Sequence, residues 1–374
     1  MVCALSFLIF LSSALLVLIP TEAAFEVRAE ALMRTLATGQ NLDGSFPPFE
    51  VTDEGFAAST AEAILIFHEL DAIHRFNLQK AMDFIISRQN ETTGGFSEGL
   101  YPLELYTPSA RVAPALIAVE SLDQLNRSLL IEFVLNHYNS SDGGFFEPEG
   151  MCYFFLILHT LEPLYNHSNI ISTYLGISLL TELDALGTIN VTRTLEFVTN
   201  CRAENGGFRP FPNATIDGNT PLFPTDSLGS GLPYTFCAVK TLEALDHLND
   251  TEILDKTSTS QFIWRCQSNE GGFWLTPIND PWHSWPYDDA TIMYTWYAFE
   301  TLYTLGAFSM DKNGVQCTIE WILSWQWMQF QSSLNPNPLY QQWGFESPYF
   351  LARDEMYGLF WSTYRAPITN SFMA

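Results

Sequence analysis

Two carboxylates stand side by side at Asp288 and Asp289, behind an aromatic segment that contains Trp282, His283, Trp285 and Tyr287. Adjacent carboxyls near apolar walls push one another's pKa upward, and a raised carboxyl can donate a proton at neutral pH. Asp288 and Asp289 are therefore the candidate catalytic pair. Trp285 and Tyr287 are candidate ligand-binding residues, because flat rings next to paired acids suit a stacked sugar with a carboxyl pair at its glycosidic bond. Two plainer readings stay open. An Asp-Asp pair just before the apolar run that starts at Ala290 is also what a helix start favours. The rings can equally anchor a loop over one end of the fold.

The remaining reactive residue types are scattered. The histidines show no metal-ligand spacing, and there is no C-x-x-C, H-E-x-x-H, G-x-S-x-G or P-loop. Cys152, Cys201, Cys237, Cys266 and Cys317 follow Cys3, and most fall in or beside apolar helical runs, where a small buried hydrophobe sits. Cys3 lies in the apolar N-terminal stretch expected to be removed, and the five that remain, an odd number, leave at least one thiol free. Cys201 and Cys266 hold equal places five residues before a glycine pair, so one bridge between them is an open alternative. Seven N-x-S/T sites occur, at Asn90, Asn126, Asn139, Asn166, Asn190, Asn213 and Asn249. They suit an exported glycoprotein, and Asn126, Asn190 and Asn249 suit helix N-capping as well.

The elements that must position these residues form a repeat. Asp43-Gly44-Ser45-Phe46 is followed by Gly-Gly-Phe at 94–96, 143–145, 206–208 and 271–273, and by Trp343-Gly344-Phe345. An amphipathic helix is expected before each glycine pair, over 78–89, 129–138, 193–202 and 260–267, with the glycines ending it as C-caps. A second helix, apolar on all faces, is expected after it, over 60–72, 109–125, 171–186, 233–248 and 290–306. Residues 151–165 read as one more buried helix, which breaks the alternation and implies a lost outer helix before 171. Pairs of an outer and an inner helix, five to six in number, predict an all-α fold: an α/α toroid (α6/α6) with a central cavity.

The ends and the composition narrow the setting. Residues 4–19 are almost wholly apolar and are followed by Pro20 and small residues, as in a signal peptide cut near Ala23. The expected organisation is thus a leader over 1–23 and a single domain over 24–374. The protein is expected to be secreted, with a membrane reached only through an uncleaved leader. The 374 residues carry a net charge of -26 and are only 16% charged but 47% hydrophobic, which excludes a disordered chain and gives nucleic acid no basic face. Lysines occur only at positions 80, 240, 256 and 312, so a diphosphate would depend on few cations.

These repeats, together with Arg265-Cys266-Gln267-Ser268-Asn269-Glu270-Gly271-Gly272-Phe273, resemble the superfamily of protein prenyltransferase β subunits and squalene/terpene cyclases. The similarity is strongest to the Rab geranylgeranyltransferase β subunit over 231–306. It implies an α/α toroid that transfers isoprenoids to cysteine or cyclises them. It also implies a catalytic zinc held by Asp, Cys and His, and the matching positions here are Gly231, Pro233 and Tyr294. The zinc set is unmatched, so no cofactor is expected. The family's diphosphate clamp places a cation where this chain has Phe211, with Arg209 nearby. A cyclase's acidic motif is approached only by Asp288 and Asp289, with Pro286 at its first position. The expected function is binding of an apolar ligand, whether isoprenoid, lipid-like or peptide. The expected ligand-binding residues are Tyr234, Phe236, Tyr294 and Tyr297 with Trp285 and Tyr287. The alternative is an active enzyme, isoprenoid-directed or glycan-directed, working through Asp288 and Asp289.

Overall fold

The computed structural model describes residues 33, 37–46, 55–98, 101–146, 167–212, 230–277 and 290–322. Its helices are α1 (Ala57–Glu69), α2 (Leu78–Ser87), α3 (Tyr106–Ala118), α4 (Arg127–Leu135), α5 (Ile170–Glu182), α6 (Val191–Asn200), α7 (Leu232–Ala244), α8 (Lys256–Arg265) and α9 (Ile292–Thr304). One two-stranded antiparallel ribbon, β1 (Phe96–Glu98) with β2 (Tyr101–Leu105), pairs Phe96 with Leu105. The fold class is all-α, as expected. The chain divides into two compact units: α1–α5 with the start of α6, and the part from Phe197 onward with α7–α9.

The inner helices α1, α3, α5, α7 and α9 are each 13 residues long. Within the first unit α3 packs against both α1 and α5, and within the second α7 packs against α9. Their ends share one device. Asp71, Glu120, Asp184, Asp246 and Gly306 take positive φ two residues beyond the last helical residue. The next N–H then reaches back, as Ala72 to the Phe67 carbonyl and Ala185 to the Leu180 carbonyl (both 2.7 Å). This closes carbonyls that a helix end leaves open. The outer helices start on short polar caps: Asn77, Asn126, Asn190 and Asp255 accept from the N–H three residues on.

The glycine pairs do not cap the outer helices. Helix α2 ends on Arg88 in a right-handed conformation, and Gly94 lies beyond it in a tight hairpin closed by Asn90 N–H to the Gly95 carbonyl (2.9 Å). The same closure recurs at Asn139 to Gly144, Ala203 to Gly207 and Ser268 to Gly272. Glycine is required by position as well as by conformation. Gly94 has φ of 85°, and a Cβ there would lie 2.3 Å from the Leu129 carbonyl carbon, in the first turn of the next outer helix. Gly44 meets Lys80, Gly143 meets Arg193 and Gly206 meets Ser258 in the same way. The hairpins are thus the contact between successive pairs.

Each hairpin delivers a phenylalanine to the core. Phe46, Phe96, Phe145, Phe208 and Phe273 are all fully buried, each side chain contributing roughly 1.5–3 kcal/mol. Their N–H groups are held by one hydroxyl per inner helix: Thr60, Ser109, Thr173, Thr235 and Thr295, at 2.9–3.2 Å. The threonines in turn donate to the carbonyl four residues back, as Thr235 does to Gly231 (2.8 Å). Phe145 is bonded to Thr173 on α5, which makes α5 the inner partner of α4. Residues 151–165 lie outside the described residues.

Candidate functional site

Helices α7 and α9 carry the sequence-predicted ligand residues that the structure describes. An apolar stretch with a Pro in the first turn starts α7 behind Gly231. Thr291 starts α9, accepting from Tyr294 N–H at 3.0 Å. The cap expected of the carboxylate pair is therefore Thr291, and Asp289 precedes it by two residues. Asp288, Asp289, Trp285 and Tyr287 lie outside the described residues.

Three rings meet between these two helices. Phe236 lies 5.1 Å from Trp296 and 4.9 Å from Tyr297, and Trp296 lies 4.9 Å from Tyr297, all tilted. Such tilted contacts are the favourable arrangement for aromatic quadrupoles. Phe236 and Trp296 are 2% and 5% exposed, while Tyr297 is half-buried. The buried Trp296 indole Nε1 has no hydrogen-bond partner. Tyr234 and Tyr294 stand in the first turns, Tyr294 buried and Tyr234 half-buried. Two of the three clustered rings, Phe236 and Tyr297, are among the ligand-binding residues expected from sequence.

At the positions matched to the family's zinc set, Gly231 is the N-cap of α7, Pro233 fills its first turn and Tyr294 lies in the first turn of α9. None supplies a thiolate, imidazole or carboxylate, so these residues do not fit a catalytic zinc. Among the described residues, no three His, Cys, Asp or Glu side chains come together as a metal group. Phe211, at the clamp position, is buried. Cys201, Cys237, Cys266 and Cys317 are all thiols in the structure, and the first three are buried.

Charged groups inside the helix pairs were not singled out from sequence. On α7, Lys240 is buried, contacts the Glu243 carboxylate and donates to Thr304 Oγ1 (3.3 Å). Glu300 is buried at the corresponding place on α9. In the other unit, Glu62 of α1 faces Arg111 of α3, with Oε1 3.4 Å from Nε. Glu62 is 4% exposed and its Oε2 has no hydrogen-bond partner. Burial pushes its carboxyl up to about 7, and the Arg111 guanidinium pulls only partly the other way. The signal was available: a lone acid in the apolar run Ala61-Glu62-Ala63-Ile64-Leu65.

Of the described sequons, Asn90, Asn126, Asn190 and Asn249 are exposed and Asn139 is half-buried. Asn126 and Asn190 do cap α4 and α6. Asn249 does not cap α8; that role belongs to Asp255, and Asn249 accepts from Lys256 Nζ at 3.0 Å. Asn139 Nδ2 donates to Asp142 (2.9 Å). Asn166 and Asn213 lie outside the described residues.

Comparison with known proteins gives the arrangement a family. The prenyltransferase alpha-alpha toroid domain model matches residues 3–101 and 112–346. Among solved structures, a variant of the type II terpene cyclase MstE from Scytonema, in complex with its product merosterolic acid A, is similar at TM-score 0.50 and 12% identity, over 80% of this chain and 79% of that one. A Candida albicans protein geranylgeranyltransferase-I complexed with GGPP is similar at TM-score 0.39 and 18% identity, over 57% and 55%. An α-mannanase from Bacteroides thetaiotaomicron is similar at 0.46 and 12%, over 75% and 82%. Of the three, the cyclase alone reaches 0.50, and at its identity it speaks for the fold only. No curated protein sequence matches the chain. The family model spans most of the length, both compact units take part in it, and the cyclase shares the fold: the chain belongs to the prenyltransferase alpha-alpha toroid domain family.

Proposed function

We propose that this protein is an exported member of its family that binds an apolar ligand against the inner-helix aromatics, without zinc-dependent prenyl transfer. One observation carries the reading: the ring group of Phe236, Trp296 and Tyr297, with a buried indole N–H that lacks an acceptor. Rings offer apolar contact, and a single fixed donor orients a ligand carrying one carbonyl or ether oxygen. An isoprenoid, lipid-like or peptide ligand has that chemistry. Gly231, Pro233 and Tyr294 support a role apart from zinc-activated thiolate chemistry, and Phe211 supports a ligand without a diphosphate. The apolar leader over 4–19 and the sequons support export.

The test is calorimetric titration of the purified full chain with geranylgeranylacetone, a ketone-bearing isoprenoid, with chelator and with added zinc. Equal binding in both buffers, weakened about tenfold by Trp296→Phe, is expected for loss of one buried hydrogen bond. Binding only with zinc, or prenylation of a cysteine peptide, contradicts the reading. Turnover of isoprenoid or oligosaccharide panels that vanishes in the Asp288→Asn/Asp289→Asn double variant would make the protein an enzyme instead.

A further inference from the structure

We propose that a cavity along α8 binds a neutral saccharide, stacked on the ring of Trp264. The inference does not rest on the α7–α9 reading, since the cavity shares no residue with the group of Phe236, Trp296 and Tyr297.

The cavity measures about 610 Å³, within the roughly 300–1,000 Å³ that small-molecule sites occupy. Helix α8 lines it with Ser258, Gln261, Trp264 and Arg265, whose spacing of three or four residues puts them on one face. Glu204 and Asn205, from the hairpin after α6, and Asp311 line the rest. These parts are held in place. Arg265 Nη2 donates to the Asn205 carbonyl (2.6 Å), and Asn205 Nδ2 donates to Ser230 Oγ (2.7 Å). Asp311 Oδ1 accepts from Gly314 N–H (2.9 Å). Gly314 also lets ring and acid come together. A Cβ at that position would lie 2.8 Å from Trp264 Cζ3 and 2.9 Å from Asp311 Oδ2.

The lining selects the ligand by its chemistry. Trp264 is half-buried and its indole Nε1 is closed off, so it offers the cavity ring surface rather than a donor. Around it stand the Gln261 amide and the Ser258 hydroxyl, which donate and accept, and the Glu204 carboxylate and Asp311 Oδ2, which accept. No contact among the described residues occupies these four groups. A sugar ring meets both demands. Its C–H face is apolar and flat enough to lie on an indole, and its hydroxyls donate to carboxylates and accept from amides. Other ligands fit less well. An anion meets Glu204 and Asp311 in a chain of net charge -26. A cation meets the Arg265 guanidinium. A wholly apolar ligand would take four polar groups out of water without a partner.

The experiment is ligand-observed NMR on the secreted full chain, before and after enzymatic removal of N-glycans. The probes are diacetylchitobiose, mannobiose and cellobiose. At least one disaccharide is expected to bind, with saturation transferred mainly to the ring C–H protons that lie on the indole. Binding in both states makes the ligand an external saccharide. Binding only after glycan removal makes it the chain's own glycan, and either result upholds the site. Gln261→Ala and Glu204→Ala, at exposed positions, should each weaken binding by about threefold to tenfold, the loss of one hydrogen bond, with thermal unfolding unchanged. Trp264→Leu should weaken it by about tenfold or more, and the two exposed substitutions carry the test if that variant does not fold. Trp296→Phe should leave saccharide binding unchanged. The proposal is overturned if none of the disaccharides binds in either state. It is also overturned if the α8 and Glu204 variants keep wild-type affinity, or if Trp296→Phe removes binding instead.

Discussion

Glu62 has a measurable signature of its own, independent of any ligand. Its carboxyl is raised from 4.5 to about 7, first by burial and against the pull of Arg111. The folded state then holds the proton more tightly than the unfolded state does. Stability from this group is fully present below pH 4.5 and is lost as pH rises through about 7, by about 3 kcal/mol in all. Glu62→Gln has no such titration. Urea unfolding of both proteins from pH 4 to pH 8 should show the variant gaining on the wild type by roughly that amount, with most of the change between pH 5 and pH 7. A difference that stays flat with pH would mean that the carboxyl is solvated and the burial argument wrong. Trp296 makes the same kind of case: its unmet N–H is visible only once the neighbouring atoms are placed.

At the scale of the helix pair, the hydroxyl under each hairpin phenylalanine is the joint that fixes loop to helix. Thr235→Val keeps shape but strands the buried Phe208 N–H, and should cost about 1–3 kcal/mol in urea unfolding. Thr235→Ser, which keeps the hydroxyl, should lie well within that loss. Equal losses in both variants would assign the effect to packing rather than to the hydrogen bond. The helices themselves could be read from period and apolarity, since each of the nine described helices overlaps the run expected of it, although α8 starts four residues before its run. The joints could not. The hydroxyl trails its phenylalanine by 13 residues at Ser109 and by 28 at Thr173, so no constant spacing betrays it. The glycines were assigned to the wrong job for a related reason. They follow an outer helix in sequence, as a C-cap does, but their constraint comes from the next outer helix, whose backbone they touch.

For the whole molecule, recurrence of the glycine–phenylalanine signature was enough to name the fold and the family, because each copy specifies the same packed unit. It was not enough for chemistry, since a fold carries sites without dictating them. The candidate site was half legible: Phe236 and Tyr297 could be assigned from their place on inner helices, whereas Glu62, Arg111 and Lys240 act through neighbours that no periodicity reports. The central claim is that an apolar ligand occupies the protein without zinc. Native mass spectrometry of the protein secreted from eukaryotic cells, in chelating buffer, tests it most directly. The account predicts a non-covalent adduct of a few hundred daltons, zinc-free, that dissociates from Trp296→Phe more readily than from wild type. A stoichiometric zinc ion that persists through chelation, with no organic adduct, would contradict it.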